Sequence, residues 1–67
     1  MAPRERMVAK LKRLRKRQGM TQVQLAEKAG VSRTYLARIE LGQHDPTLSM
    51  LEKLAKALKV KVGRLVE

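Results

Sequence analysis

Six acids are spread along the chain: Glu5, Glu27, Glu40, Asp45, Glu52 and Glu67. None stands in a spacing that pairs two carboxylates for acid–base work. His44 is the sole histidine and cysteine is absent, so no imidazole or thiolate set can share a metal, and no nucleophile has a base placed near it. The four glycines form no phosphate-cradling run. Catalysis, a metal and a cofactor are therefore not expected. The chemistry on offer is cationic: 16 Lys and Arg against 6 acids, a formal charge of +10 on 67 residues. So strong a field attracts polyanions, nucleic acid first and anionic membrane second. Its plain alternative is solubility.

One short stretch holds side chains that could read such a polyanion: Ser32, Arg33, Thr34 and Arg38. Each arginine has the planar fork that matches guanine O6 and N7, worth roughly 1–3 kcal/mol of discrimination when bidentate. Either arginine could instead meet phosphate alone. Thr34 could touch a thymine methyl or a phosphate. Tyr35 stands beside them, with a phosphate bond through its hydroxyl and packing on a later helix as its two readings. As the sole aromatic it cannot line a stacking platform for single strands.

Helices must position these groups, because no strand pattern competes beyond the brief Val60-Lys61-Val62 alternation. The period predicts a first helix from Pro3 or Arg4 to Gln18, with Met7, Leu11 and Leu14 on one face and Gly19 as its stop. Thr21 and Gln24 form a capping box for a second helix that buries Leu25, Ala26 and Ala29. Ser32 caps a third, with Leu36 and Ile39 inward and Gly42 ending it. Gln43-His44-Asp45-Pro46 reads as a turn. Thr47 caps a fourth helix carrying Leu48, Leu51, Leu54, Ala55 and Leu58. A last turn, Val62 to Val66, folds Leu65 onto the core. That core is aliphatic, small, and expected to serve a single domain over 1–67.

The spacing between Gln22 and Leu41 decides the fold. A helix-turn-helix needs a small residue where its helices cross, a turn residue tolerant of positive φ, and apolar residues that lock the pair. Ala26 is the small residue, Gly30 the turn, and Leu25, Val31, Leu36 and Ile39 the lock. On the third helix, Ser32, Arg33, Thr34 and Arg38 then lie near the N-terminus opposite the lock, where side chains reach base edges in a major groove.

With these stretches in place the sequence resembles the phage repressor/Cro-type helix-turn-helix family. The likeness rests on Met20-Thr21-Gln22-Val23-Gln24-Leu25-Ala26, Ala29-Gly30-Val31-Ser32, Leu36-Ala37-Arg38-Ile39-Glu40-Leu41-Gly42, Pro46-Thr47-Leu48 and Leu51-Glu52-Lys53-Leu54-Ala55-Lys56-Ala57-Leu58. It implies an all-α, compact five-helix, lambda-repressor-like domain that binds a pseudo-palindromic double-stranded DNA operator as a homodimer and regulates transcription, as a repressor. It implies a phosphate contact from Gln22, phosphate contacts from the backbone at Gln43 and His44, and an ion pair between Arg15 and Glu40. Two arginines at the reading positions depart from the short polar side chains common there, which leaves the operator sequence open.

The basic run Lys10 to Arg17 has two readings, a phosphate-neutralising stripe that includes Lys10 and Arg17, and a solvated face. One domain reads only about four or five base pairs, so a dimer on half-sites about one helical turn apart is expected. Val62 and Val66 are assigned to that dimer contact, the alternative being packing on their own domain. A second function is an antitoxin that holds a toxin partner and autoregulates through the same motif. A third, a cationic helix acting on membranes, leaves the capped turn without a use. The charged opening Met1-Ala2-Pro3-Arg4-Glu5-Arg6 resembles no signal peptide or membrane span, so the cytoplasm is the expected location. With no room for a separate sensing domain, regulation is expected through concentration, proteolysis or a partner.

Overall fold

Pro3 opens the first helix at the position where a missing amide hydrogen costs nothing. The structure, a computed structural model, describes residues 3–66. Helix α1 (Pro3–Arg17) carries Glu5 in its first turn and Arg15, Lys16 and Arg17 in its last, which suits the helix dipole at both ends. Helices α2 (Gln22–Ala29), α3 (Arg33–Glu40), α4 (Leu48–Ala57) and α5 (Gly63–Val66) follow.

The start signals read from sequence are all used. Thr21 Oγ1 accepts from the Gln24 amide at 3.1 Å, and Gln24 Oε1 accepts from the Thr21 amide at 2.9 Å. Ser32 Oγ accepts from the Tyr35 amide and Thr47 Oγ1 from the Met50 amide. Each hydroxyl satisfies a first-turn donor that the helix itself leaves without a partner.

Packing closes a ring: α1 meets α3, α3 meets α2, α2 meets α4, α4 meets α5, and α5 returns to α1. Leu11, Leu25, Leu36, Ile39, Leu54, Leu58 and Leu65 are fully buried inside it. Every helix or its cap gives at least one of them, so none can leave without opening the core. The core is aliphatic as expected, and Tyr35 is only half-buried at its margin.

Three expectations are adjusted. Leu48 is 65% exposed, because it is the first residue of α4 and the inward face begins at Leu51. Ala29 is half-buried. The last helix begins at Gly63, while Val62 packs against its own domain's core, as does Val60.

The α1–α3 contact holds a buried ion pair. Arg15 donates through Nε to Glu40 Oε2 at 2.8 Å and through Nη2 to Oε1 at 2.9 Å, the paired geometry a guanidinium and a carboxylate share. Nη1 donates to the Met20 carbonyl at 2.9 Å. Their side chains are 10% and 3% exposed. The hydrogen bond to Glu40 raises the Arg15 pKa against the opposing effect of burial, so the guanidinium stays charged. Among the described residues no buried side-chain N or O lacks a partner.

Helix ends give one stability prediction. Gly30 has φ 71° and no atom near a would-be Cβ, so conformation alone selects glycine there. Lys59 holds φ 59° after α4 without that freedom. Gly30→Ala should lower stability by about 1–2 kcal/mol and Lys59→Gly should raise it by up to about 1 kcal/mol. Thermal melts check this, and a lower melting temperature for Lys59→Gly would contradict it. The ion pair gives another. Glu40→Lys strands Arg15 and should cost about 3–5 kcal/mol, a fall in melting temperature of roughly 12–40 °C. The apolar double replacement Arg15→Met with Glu40→Leu should recover most of that loss, since it leaves no buried charge unpaired.

Candidate nucleic-acid interface

Helix α3 turns Leu36, Ile39 and Glu40 inward. At about 100° per residue, Thr34 and Arg38 then fall opposite, with Arg33 and Ala37 alongside them. Arg33, Thr34 and Arg38 are exposed and Ala37 is half-buried. Neither arginine belongs to an ion pair among the described residues. Both guanidinium forks therefore stand outward with their donors unspent, on a rod fixed from behind by α1 and α2.

Ala37 belongs to this edge and went unnoticed in the sequence, where an alanine carries no chemical signal. Its place at i+4 from Arg33, between Arg33 and Thr34 around the helix, was the available clue. A methyl there lets the backbone approach a groove closely and can meet a thymine methyl.

The structure brings Ser32 to the same end of α3 but spends its hydroxyl on the cap, at 3.0 Å from the Tyr35 amide. Only the hydroxyl proton remains to donate outward. Tyr35 meets the turn after α3 rather than open solvent: its ring stands edge-on to His44, centroids 4.7 Å apart at 71°.

Four residues expected at phosphate, Gln22, Gln43, Lys10 and Arg17, are drawn elsewhere in whole or in part. The Gln22 side chain turns back and donates through Nε2 to Glu40 Oε1 at 3.2 Å, so its amide is partly engaged inside the domain. The Gln43 backbone amide donates to the Arg38 carbonyl at 2.9 Å, and that bond, which closes the end of α3, removes it as a backbone phosphate donor. The exposed Gln43 side chain is what remains. Lys10 and Arg17 share a cleft with Arg13, Leu14 and Arg64 of α5. The flank of α1 beside the end of α3 is instead lined by Glu5, Val8, Ala9 and Lys12. Helical period sets these two flanks on opposite sides of α1, so Lys10 and Arg17 do not stand beside the end of α3.

Arg4 is a positioning residue that sequence alone did not single out. It donates through Nη1 to the Gly42 carbonyl at 3.1 Å and through Nη2 to Asp45 Oδ2 at 2.6 Å. It ties the start of α1 to the turn between α3 and α4 and pairs with the acid of that turn. Arg4 and Asp45 are 41 residues apart, beyond any local pattern. Gln18 likewise donates to the Leu58 carbonyl at 2.7 Å and closes the end of α4.

Among the described residues no group of His, Asp and Glu gathers as a metal set, and no helix is long and apolar enough to cross a membrane.

Comparisons with known proteins agree with this geometry. Residues 11–65 match the helix-turn-helix family. The chain is 51% identical over 57 residues to an immunity repressor protein of Bacillus phage phi105, covering 85% of this chain and 40% of that protein. It is 41% identical over 59 residues to the HTH-type transcriptional regulator SinR of Bacillus subtilis, covering 87% of this chain and 53% of that one. The chain thus spans about half or less of those two relatives. Among solved structures, the restriction-modification controller protein C.AhdI of Aeromonas hydrophila superposes with a TM-score of 0.87 at 33% identity, covering 90% of this chain and 91% of that one. The hypothetical transcription factor NHTF from Neisseria superposes with a TM-score of 0.94 at 30% identity, covering 98% and 76%. On the sequence stretches, the capped turn and these relatives together, the chain belongs to the phage repressor/Cro-type helix-turn-helix family.

Proposed function

We propose that residues 1–67 form a single DNA-binding domain that regulates transcription, as a repressor, by occupying an operator with α3 in the major groove. The observation that carries this reading is the outward edge of α3. Arg33 and Arg38 hold unpaired forks on either side of the short Thr34 and Ala37, so two long donors flank a gap where the helix can approach base edges. Ser32 adds its hydroxyl proton at the near end. The names of the relatives support the regulatory part of the reading, a phage immunity repressor and SinR among them. C.AhdI, of which this chain covers 91%, is called a controller protein, which supports regulation by a chain of this size.

Phosphates are met on both sides of α3. On one side, the first-turn amides of Gln22 and Val23 have no partner within α2 and are donors for an anion, with the second hydrogen of the Gln22 side chain beside them. On the other, the Tyr35 hydroxyl and the Gln43 side chain are the donors. Lys10 and Arg17 contribute to the long-range field and not to a contact. Two copies occupy the half-sites of an inverted repeat. The 56% exposed Val66 at the end of α5 is the apolar group offered to the partner, while Val62 serves its own core.

Selection from random duplex DNA tests this reading, and it should enrich an inverted repeat with half-site centres about one helical turn apart. Arg33→Ala and Arg38→Ala should each weaken binding to that duplex by about 5- to 150-fold, the equivalent of 1–3 kcal/mol, and relax the preference at a guanine. Binding to unrelated duplexes should change far less. If both variants bind every duplex as the wild type does, α3 is not the reading element.

A further inference from the structure

Four cations converge where α1 meets α5. Lys10, Arg13 and Arg17 recur at i, i+3 and i+7 on one face of α1, and Arg64 comes to them from α5. They surround a cleft of about 120 Å³ floored by Leu14, and no carboxylate lines it. Among the described residues none of the four makes a hydrogen bond or an ion pair with another side chain, whereas Arg4 and Arg15 are both committed to acids.

Cations crowded on one helix face repel one another, and such pairs at i, i+3 and i, i+4 weaken a helix. Arg17 has a local reason to be where it is, since the last turn of α1 favours a positive charge. Lys10 and Arg13 sit too far from that end to share it. A hollow lined by four lysines is differently built. Lys28, Lys53, Lys56 and Lys59 border a wider space of about 500 Å³. Lys28 and Lys56 occupy the last turns of α2 and α4, where a cation is accounted for.

We infer that the α1–α5 cleft is a binding site for a soluble polyphosphate anion, a chain of two or more phosphoryl groups, free or carried on a nucleotide. Three guanidinium forks suit phosphate oxygens bidentately and the Lys10 ammonium adds a point charge, which together balance an anion of three to four charges. The cleft has room for a phosphoryl chain with its waters, so a base attached to it would lie outside. It lies on the flank of α1 opposite the one beside the end of α3, which separates it from the reading edge. A ligand there would bridge α1 to the four-residue α5.

Isothermal titration with tripolyphosphate, at an ionic strength held constant with chloride, tests the site. The wild type should bind one equivalent, with amide shift changes centred on Leu14 and Arg64. Arg13→Gln with Arg64→Gln should lose at least tenfold in affinity. Lys53→Gln with Lys56→Gln, which removes the same charge elsewhere, should bind as the wild type does. Both double variants should keep the helical spectrum of the parent and weaken duplex binding by the same modest factor. Equal losses of tripolyphosphate binding in the two variants would reveal a diffuse field and overturn the proposal. So would tripolyphosphate binding no tighter than chloride. If the Arg13/Arg64 variant loses duplex affinity tenfold beyond the lysine variant, and duplex displaces tripolyphosphate, the cleft belongs to the DNA backbone contact and the soluble ligand is wrong.

Discussion

Glu40 is a buried acid at the end of a helix whose other side carries the exposed Arg33 and Arg38, and the rest of the arrangement depends on how it is held. Two bonds from Arg15 and one from Gln22 engage its oxygens. Arg15 also reaches the Met20 carbonyl, in the link that leads into α2. One carboxylate thus fixes the end of α3 against both α1 and the start of α2. Apolar packing resists separation of these helices but tolerates sliding, whereas a bidentate pair with a third donor tolerates little of either. The net gain in stability from such a pair is small, because desolvation offsets most of the attraction. Its effect is on geometry: it fixes the angle and the register at which α3 is held.

The same logic sorts the charges of the chain. The acids at the end of α3 and in the turn after it, Glu40 and Asp45, are each taken by an arginine of α1. Negative charge at that end of α3 is thereby masked without being removed. Arg33 and Arg38 keep their donors free, and the cations of the α1–α5 cleft stand on another flank. A formal charge of +10 would draw in any polyanion, but a field alone cannot tell one duplex from another. Discrimination between duplexes comes from contacts to base edges, not from net charge.

Much of this was legible in the sequence, and what was legible is local. The Thr21–Gln24 box, the Ser32 and Thr47 caps and the positive φ at Gly30 act over three or four residues, so residue type and spacing reveal them directly. Leu48 was misread because a helical period does not say where the inward face begins, and the first residue of α4 precedes it. The competition for Gln22 and for the Gln43 amide was invisible for a different reason. Each group can meet phosphate by its chemistry, and only the fold decides that Glu40 and the Arg38 carbonyl reach it first. The Arg4 clamp spans 41 residues and leaves no trace in any window. The Arg15–Glu40 pair, also distant, came from family likeness and not from physics read along the chain.

Lys10 and Arg17 carry the lesson of direction. A run of basic residues on a helix reads as one stripe, yet at about 100° per residue it wraps the whole cylinder. Lys12 turns toward the end of α3 and Arg15 is buried beneath it, while Lys10, Arg13 and Arg17 turn toward α5. A single run therefore supplies a core partner, a charge near the interface and a separate cluster. Which role each residue takes follows from the ring of helices. Because α1 is wedged between α3 and α5, every cation on it must face one neighbour, the other, the core or water. Net charge fixes how strongly the molecule attracts anions, and the angular position of each side chain around α1 fixes where they can bind.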